Sequence, residues 1–255
     1  MIYIKTPQEI EIMAIGGKIL ADVLHAVMDA AKPGVSEIEL DSFAEKLIRE
    51  KGGEPGFMKV QGYKHTVCMS TNEVVVHGIP TEYRLVAGDI VGIDCGVFYK
   101  GFHTDMSETK IVSVQNSKLK IQNKKELFLE TGKRALQEGI KAAIIGNHVG
   151  NISQTIQSII EGAGYNIVRG LVGHGVGRNL HEEPEVPGFL SKSIAKTPLL
   201  KEGMVIAIEI IYNMGGKDVI YGKKDGWTIS TADGSLSGLF ERTVAITQSG
   251  PRILT

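Results

Sequence analysis

Asp94, Asp105, His174, Glu209 and Glu241 stand where a fold alone has little use for them. Asp94 interrupts Val-Gly-Ile-Asp-Cys-Gly-Val-Phe, Glu209 interrupts Val-Ile-Ala-Ile-Glu-Ile-Ile, and Glu241 interrupts Leu-Phe-Glu-Arg-Thr-Val-Ala-Ile. These are apolar runs of strand length. An ionised carboxylate inside such a run costs several kcal/mol unless it is paired, hydrogen-bonded or bound to a cation. Taken singly, each residue has a structural explanation. Asp94 and Asp105 are then a core residue and a turn residue, Glu241 is an ion-pair partner of Arg242, and His174 is a structural imidazole. Taken together, those explanations require one buried charge after another, and a metal site accounts for all five.

Tyr99-Lys100-Gly101 between the two aspartates reads as a hairpin turn. Across a two-residue turn, opposed residues have numbers with an odd sum, so Asp94 and Asp105 face the same side as opposite or diagonal neighbours. Two anions so placed keep one proton between them unless a cation neutralises both. His174 lies between glycines in Gly-His-Gly-Val-Gly, which fits neither the dinucleotide nor the Walker lysine pattern. An oxygen-rich set of four carboxylates and one imidazole is too hard for a cysteine-type structural zinc. It is also too large for one catalytic zinc with an open position. Two divalent ions bridged by carboxylates, roughly 3.5–4 Å apart, fit better and can activate a shared water while polarising a carbonyl. His77 in Val-His-Gly-Ile-Pro and His181 in Leu-His-Glu-Glu-Pro fall in turns beside these strands. Each is either a turn residue or a hydrogen-bond partner for a developing oxyanion or leaving nitrogen. Neither has zincin spacing, and no Gly-x-Ser-x-Gly elbow supplies a competing nucleophile.

The elements that must position these groups are also legible. Thr6-Pro7-Gln8-Glu9 is a capping box with proline at the first helical position, and the following apolar spacing predicts a helix to about Ala31. Pro33-Gly34 breaks it, and Ser36 with Glu39 starts a second helix that runs toward Gly52-Gly53. Strands and turns follow from about Met58 to Val114. A helix from about Lys124 to Ile145 and a shorter one from Ile152 to Gly162 come next. Strands return at Tyr165 to Gly170, Met204 to Met214, Thr228 to Ser230 and Phe240 to Thr247. The order of helices then strands therefore occurs twice. It predicts an α+β chain of two pseudo-symmetric halves, 1–114 and 115–255, sharing one sheet with helices on one face and the site on the other.

Composition bounds the function. With 255 residues, 42% hydrophobic and 22% charged, the chain is ordinary globular protein, and a formal net charge of −1 supplies no general field for nucleic acid or a membrane. Lys118, Lys120, Lys124 and Lys125 make one short basic stretch, read as a solvated linker and helix start. Two cysteines, Cys68 and Cys95, are too few for a disulfide framework. The amino terminus lacks the apolar core of a signal peptide, and no apolar run approaches the ~18 residues of a spanning helix. These features predict a cytoplasmic protein with reduced thiols.

Several motifs now stand together: Asn72-Glu73-Val74-Val75-Val76-His77-Gly78-Ile79-Pro80, Asp94 with His103-Thr104-Asp105, Gly173-His174-Gly175-Val176-Gly177-Arg178, His181-Glu182-Glu183-Pro184, Asp225-Gly226-Trp227-Thr228 and Phe240-Glu241-Arg242-Thr243. The chain resembles the bacterial-type, type I methionine aminopeptidases of the pita-bread fold, from Ile4-Lys5-Thr6-Pro7 to its last residues. The resemblance implies one catalytic domain over 1–255 with a curved, mainly antiparallel sheet. It implies removal of the initiator methionine from nascent proteins when the second residue is small. Carried over by position, it makes Asp94, Asp105, His174, Glu209 and Glu241 the ligands of two divalent ions. Asp105 and Glu241 bridge them, and cobalt, manganese, iron and zinc all suit the donors. Glu209 also transfers protons, His77 contacts the scissile amide and His181 its carbonyl oxygen. Phe57, Tyr63, Cys68 and Trp227 line the methionine pocket.

The implied partners are methionyl peptides, nascent chains and, through the family role, the ribosome, with the protein a monomer. The chain departs from the family at Val60, where an aromatic wall is usual, at Thr104, where glycine is, and at Ile210, where proline is. An Xaa-Pro peptidase shares the ligands but normally carries another amino-terminal domain. A non-catalytic binding module of this fold typically loses ligands. Both remain as alternatives to a methionine aminopeptidase.

Overall fold

The computed structural model describes residues 1–113, 120–222 and 225–255. Helices α1 (Pro7–Ala30) and α2 (Glu37–Glu50) open the chain. Both begin in the expected capping boxes, with Thr6 accepting from Glu9 N–H and Ser36 from Glu39 N–H. Then come β1 (Glu54–Pro55), β2 (Val67–Thr71), β3 (Val74–Val76), β4 (Ile90–Tyr99) and β5 (Phe102–Ile111). Helices α3 (Lys120–Lys141) and α4 (Val149–Gly162) repeat the opening. They lead to β6 (Asn166–Ile167), β7 (Gly173–Gly175), β8 (Glu182–Val186), β9 (Val205–Asn213), β10 (Val219–Tyr221), β11 (Ile229–Thr231), β12 (Ser237–Thr247) and β13 (Gly250–Ile253). Lys118 of the basic stretch and the expected boundary between halves at 114 and 115 lie outside the described residues.

Among the described residues, one sheet runs in the order β1-β4-β5-β12-β9-β7-β8, with β2, β13 and β6 joined at its sides, and its pairings are antiparallel. A small sheet, β10-β11-β3, stands apart from it. Helices α1 and α2 cover the β4–β5 half, and α3 and α4 cover the β9–β12 half.

Strand alternation then decides where the acids go. On β9, Ile206, Ile208, Ile210 and Tyr212 enter the core under α3 and α4, and on β12 Phe240, Val244 and Ile246 do so. Val91, Ile93, Cys95 and Val97 of β4 and Met106 of β5 enter the core under α1 and α2. Successive residues point to opposite faces. Asp94, Asp105, Glu209 and Glu241 therefore share the face turned away from all four helices. Burying the two helical stripes on the sheet is what holds these carboxylates in place, because a one-residue slip would turn core residues such as Ile93, Met106, Ile208 and Phe240 to their face and drive the acids into the core.

Candidate metal centre

The hairpin β4–β5 closes through Lys100-Gly101, both in the left-handed region (φ 47° and 91°), with Tyr99 opposite Phe102. That register sets Asp105 opposite Gly96 and makes it the diagonal neighbour of Asp94. Across the sheet, Cys68 pairs with Asp94, Asp94 with Ser107, Ser107 with Glu241, and Glu241 with Glu209. One row thus carries Asp94, Glu241 and Glu209 over four central strands. Asp105 lies two residues from Ser107 along β5. His174 pairs with Ala207, two residues from Glu209 along β9.

Ligand atoms of Asp105, His174 and Glu241 all lie within 4.8 Å of one another. His174 Nδ1 faces the Gly175 carbonyl oxygen at 2.9 Å, so it carries the proton and donates. Its Nε2 lone pair then points toward Asp105 Oδ2, 3.9 Å away. That gap is too long for a hydrogen bond, and it suits two donor atoms each roughly 2.1 Å from one ion.

Asp94 Oδ1 and Glu241 Oε1 are buried without a hydrogen-bond partner among the described residues. Buried polar atoms are normally satisfied, so these two ask for a cation. The alternative of an ion pair for Glu241 does not hold. Arg242 bonds Glu108 and the main-chain carbonyls of Ser107 and Glu241, not the Glu241 carboxylate.

Electrostatics agrees. Burial, and then the charge of Glu209, pushes the Asp105 carboxyl up to about 8. Burial and the charge of Asp94 push Glu209 up to about 8. Asp94 and Glu241 lie well above the carboxylate range, again through burial and then neighbouring acids, Asp105 foremost. Burial lowers His174 to about 4, which keeps it neutral and able to ligate. Such crowding is unfavourable without cations and is neutralised by them.

A cavity of about 300 Å³ opens onto this row. Phe57, Val60, Tyr63, Cys68, Leu180 and Trp227 form its apolar end. Tyr63 meets Phe57 and Trp227 edge-on, with ring centroids 6.3 and 5.1 Å apart, and donates to the Val67 carbonyl oxygen at 2.8 Å. Asp225 accepts from the N–H groups of Trp227 and Thr228, which fixes the turn presenting the indole.

His77 and His181 line the same cavity. His77 adopts φ 55° and is followed by Gly78, where a Cβ would lie 1.9 Å from the Met69 oxygen. This left-handed turn directly follows β3, and the imidazole borders the cavity. Desolvation lowers both histidines, His77 also through the nearby His181, so both are neutral near pH 7. All eleven candidate site residues therefore border one cavity.

Two contributors were given no role by the sequence, although Thr243 closes the Phe240-Glu241-Arg242-Thr243 motif. Leu180 closes the apolar end beside His181. Thr243 Oγ1 accepts from Asp105 N–H at 2.9 Å and donates to Asp105 O at 2.8 Å, locking β5 to β12. Leu180 was findable only as the neighbour of His181, and Thr243 only from the register of strands 138 residues apart.

The model of metallopeptidase family M24 matches residues 11–248. Methionine aminopeptidase of Clostridium perfringens is 42% identical, over 100% of this chain and 99% of that protein. The crystal structure of methionine aminopeptidase from Thermotoga maritima superposes with a TM-score of 0.92 at 36% identity, covering 100% of this chain and 99% of that one. Prolidase from Pyrococcus furiosus gives a TM-score of 0.77 at 26% identity, but 99% of this chain covers only 65% of the prolidase. The α+β architecture is thus the pita-bread fold that the sequence resemblance implied.

Proposed function

Since the chain belongs to metallopeptidase family M24, we propose that it is the methionine aminopeptidase its full-length relatives are named for, removing the initiator methionine from chains whose second residue is small. One observation carries this reading. The row of buried acids with His174 forms one end of a cavity whose other end is apolar, aromatic and sulfur-bearing, as an unbranched thioether side chain requires. The higher identity to a methionine aminopeptidase, 42% against 26% for the prolidase, favours this reading over an Xaa-Pro peptidase.

Asp94, Asp105 and Glu241 would hold one divalent ion, and Asp105, Glu241, His174 and Glu209 the other. The donors suit cobalt, manganese, iron or zinc. Such a pair supplies Lewis acidity at the scissile carbonyl and lowers the pKa of a water. The chain's own residues do the rest. Glu209, with its proton affinity raised toward neutrality, takes a proton from the attacking water and passes it to the departing amine. His181 donates to the carbonyl oxygen as charge develops there, and a neutral imidazole does so without adding a cation beside the ions. His77 orients the scissile amide. Phe57, Tyr63, Cys68 and Trp227 exclude water around the methionine side chain and set its reach toward the acids.

No helix among the described residues is long and apolar enough to cross a membrane. The substrates are methionyl peptides and nascent chains, met in the cytoplasm at the ribosome by a monomer. The test is hydrolysis of Met-Ala-Ser, Leu-Ala-Ser and Ala-Pro peptides during titration with manganese, cobalt, iron and zinc. Metal-dependent cleavage of Met-Ala-Ser alone is expected. Cleavage of Ala-Pro in its place would identify an Xaa-Pro peptidase, and no cleavage with stoichiometric metal bound would leave a binding module.

A further inference from the structure

Lys5 and Glu182 form an ion pair that the mechanism above does not use. Lys5 Nζ lies 2.7 Å from Glu182 Oε2, with side chains only 4% and 2% exposed. A pair this desolvated gains little over apolar packing, so its presence is better explained by geometry than by stability. Glu182 opens β8 and ends the 176–181 segment that follows β7, directly after His181. Its Oε1 accepts from Asn179 N–H at 3.2 Å, so the carboxylate closes the turn with one oxygen and takes Lys5 on the other. Lys5 is itself fixed, its N–H donating to the Gly203 carbonyl oxygen at 2.7 Å. Gly177 crosses over the pair. A Cβ there would lie 2.5 Å from Lys5 Cε and 2.8 Å from Glu182 Oε1.

His181, in contrast, is exposed, and among the described residues no hydrogen bond holds its ring. Its ring packs edge-on against His174, centroids 4.4 Å apart. The direction of the imidazole is therefore inherited from the backbone of residues 176–182, and that backbone is clamped by Glu182. We infer that Lys5 is a positioning residue for the peptidase reaction: through Glu182 it fixes the turn that aims His181 at the scissile carbonyl. The inference rests on the role of His181 proposed above.

Removing one partner would strand a buried charge, so the informative variant is the neutral pair Lys5→Met with Glu182→Gln. It should fold and bind metal as wild type does, by thermal melting and by calorimetric titration with manganese. On Met-Ala-Ser its kcat should fall at least about 10-fold, with KM within about twofold, as misdirection of one hydrogen-bond donor predicts. In a His181→Ala background the same pair should change kcat by less than about twofold, because the donor it aims is gone. Losses that multiply across this cycle overturn the inference.

A second readout needs no turnover. With ring-labelled histidine, the His181 signal, assigned by its loss in His181→Ala, should move or broaden in the neutral pair while His25 and His148 stay unchanged. An unmoved His181 signal also overturns the clamp. Wild type that binds metal but cleaves no methionyl peptide defeats the proposed function instead, and the histidine signal still decides the clamp.

Discussion

One negative charge, with an oxygen exchanged for an amide nitrogen, separates Asp105 from asparagine, and at this position that charge matters more than shape. Asp105 is buried, lies 3.9 Å from His174 Nε2 and shares a metal-sized space with Glu241. An amide cannot supply the anion that the proposed site for two cations needs. Asp105→Asn should therefore lower the metal bound per chain and abolish Met-Ala-Ser hydrolysis. Full occupancy with near-normal rate, read by elemental analysis beside the assay, would remove Asp105 from the ligand set. Val60 works at the same scale through surface rather than charge. It lines the apolar end of the cavity beside Tyr63 and Trp227, at the position where the sequence resemblance leads one to expect an aromatic. One added ring face is worth about 1–2 kcal/mol, or roughly 5- to 30-fold in binding. Val60→Tyr should lower KM for Met-Ala-Ser by up to that factor with little change in kcat, since ground state and transition state gain alike. A raised KM in a folded protein would mean that Leu180 already fills the wall.

At the scale of elements, the decisive joint is between β5 and β12. The ladder between them pairs only Glu241 with Ser107 and Arg242 with Met106. One residue further along β12, the Thr243 hydroxyl takes over, bonded to both main-chain groups of Asp105. It fixes the distance between the two carboxylates proposed to bridge the ions. Thr243→Val keeps the shape and removes both bonds. It should lower unfolding stability by about 1–3 kcal/mol and weaken manganese binding in a calorimetric titration. A loss of stability without any loss of affinity would make Thr243 a fold residue only.

For the whole molecule, the four acids act as one store of unfavourable charge. In the metal-free protein Asp105 and Glu209 hold protons up to about 8, whereas unfolded carboxyls release them near ~4. The folded state thus binds more protons than the unfolded state, and stability falls as pH rises through that window. His174 has the opposite sign. Its pKa, lowered to about 4, contributes stability that is complete above the unfolded histidine value of ~6.5 and is lost below it. Above about pH 6.5 the histidine contribution is largely complete, so the raised carboxyls dominate the slope up to about pH 8. The melting temperature of chelator-treated protein should therefore fall across that interval, and Glu209→Gln should flatten the fall. Metal should reverse the trend, because its ligands must be deprotonated and affinity grows with pH. A metal-free melting curve indifferent to pH from 6.5 to 8 would contradict the raised carboxyl pKa values.

Much of this was written in local pattern. Capping boxes announced α1 and α2, and acids interrupting apolar runs announced the site, because alternation in a strand half-covered by helices leaves no other face for them. The expected turn even put Asp94 and Asp105 on one face as opposite or diagonal neighbours, and the observed register makes them diagonal. Where pairing was short the pattern misled. The strand expected over Tyr165 to Gly170 shrinks to Asn166–Ile167, where the ladder with β9 runs, and beyond it Val168 N–H makes one further bond to the Ile211 carbonyl oxygen. What the sequence could not settle is lateral. The row through Asp94, Ser107, Glu241 and Glu209, the Thr243 lock and the Lys5–Glu182 clamp join residues as many as 177 positions apart. Periodicity specifies which face a residue takes. It carries nothing about which strand lies beside which, or in what register, and only packing both helical layers onto one sheet decides that.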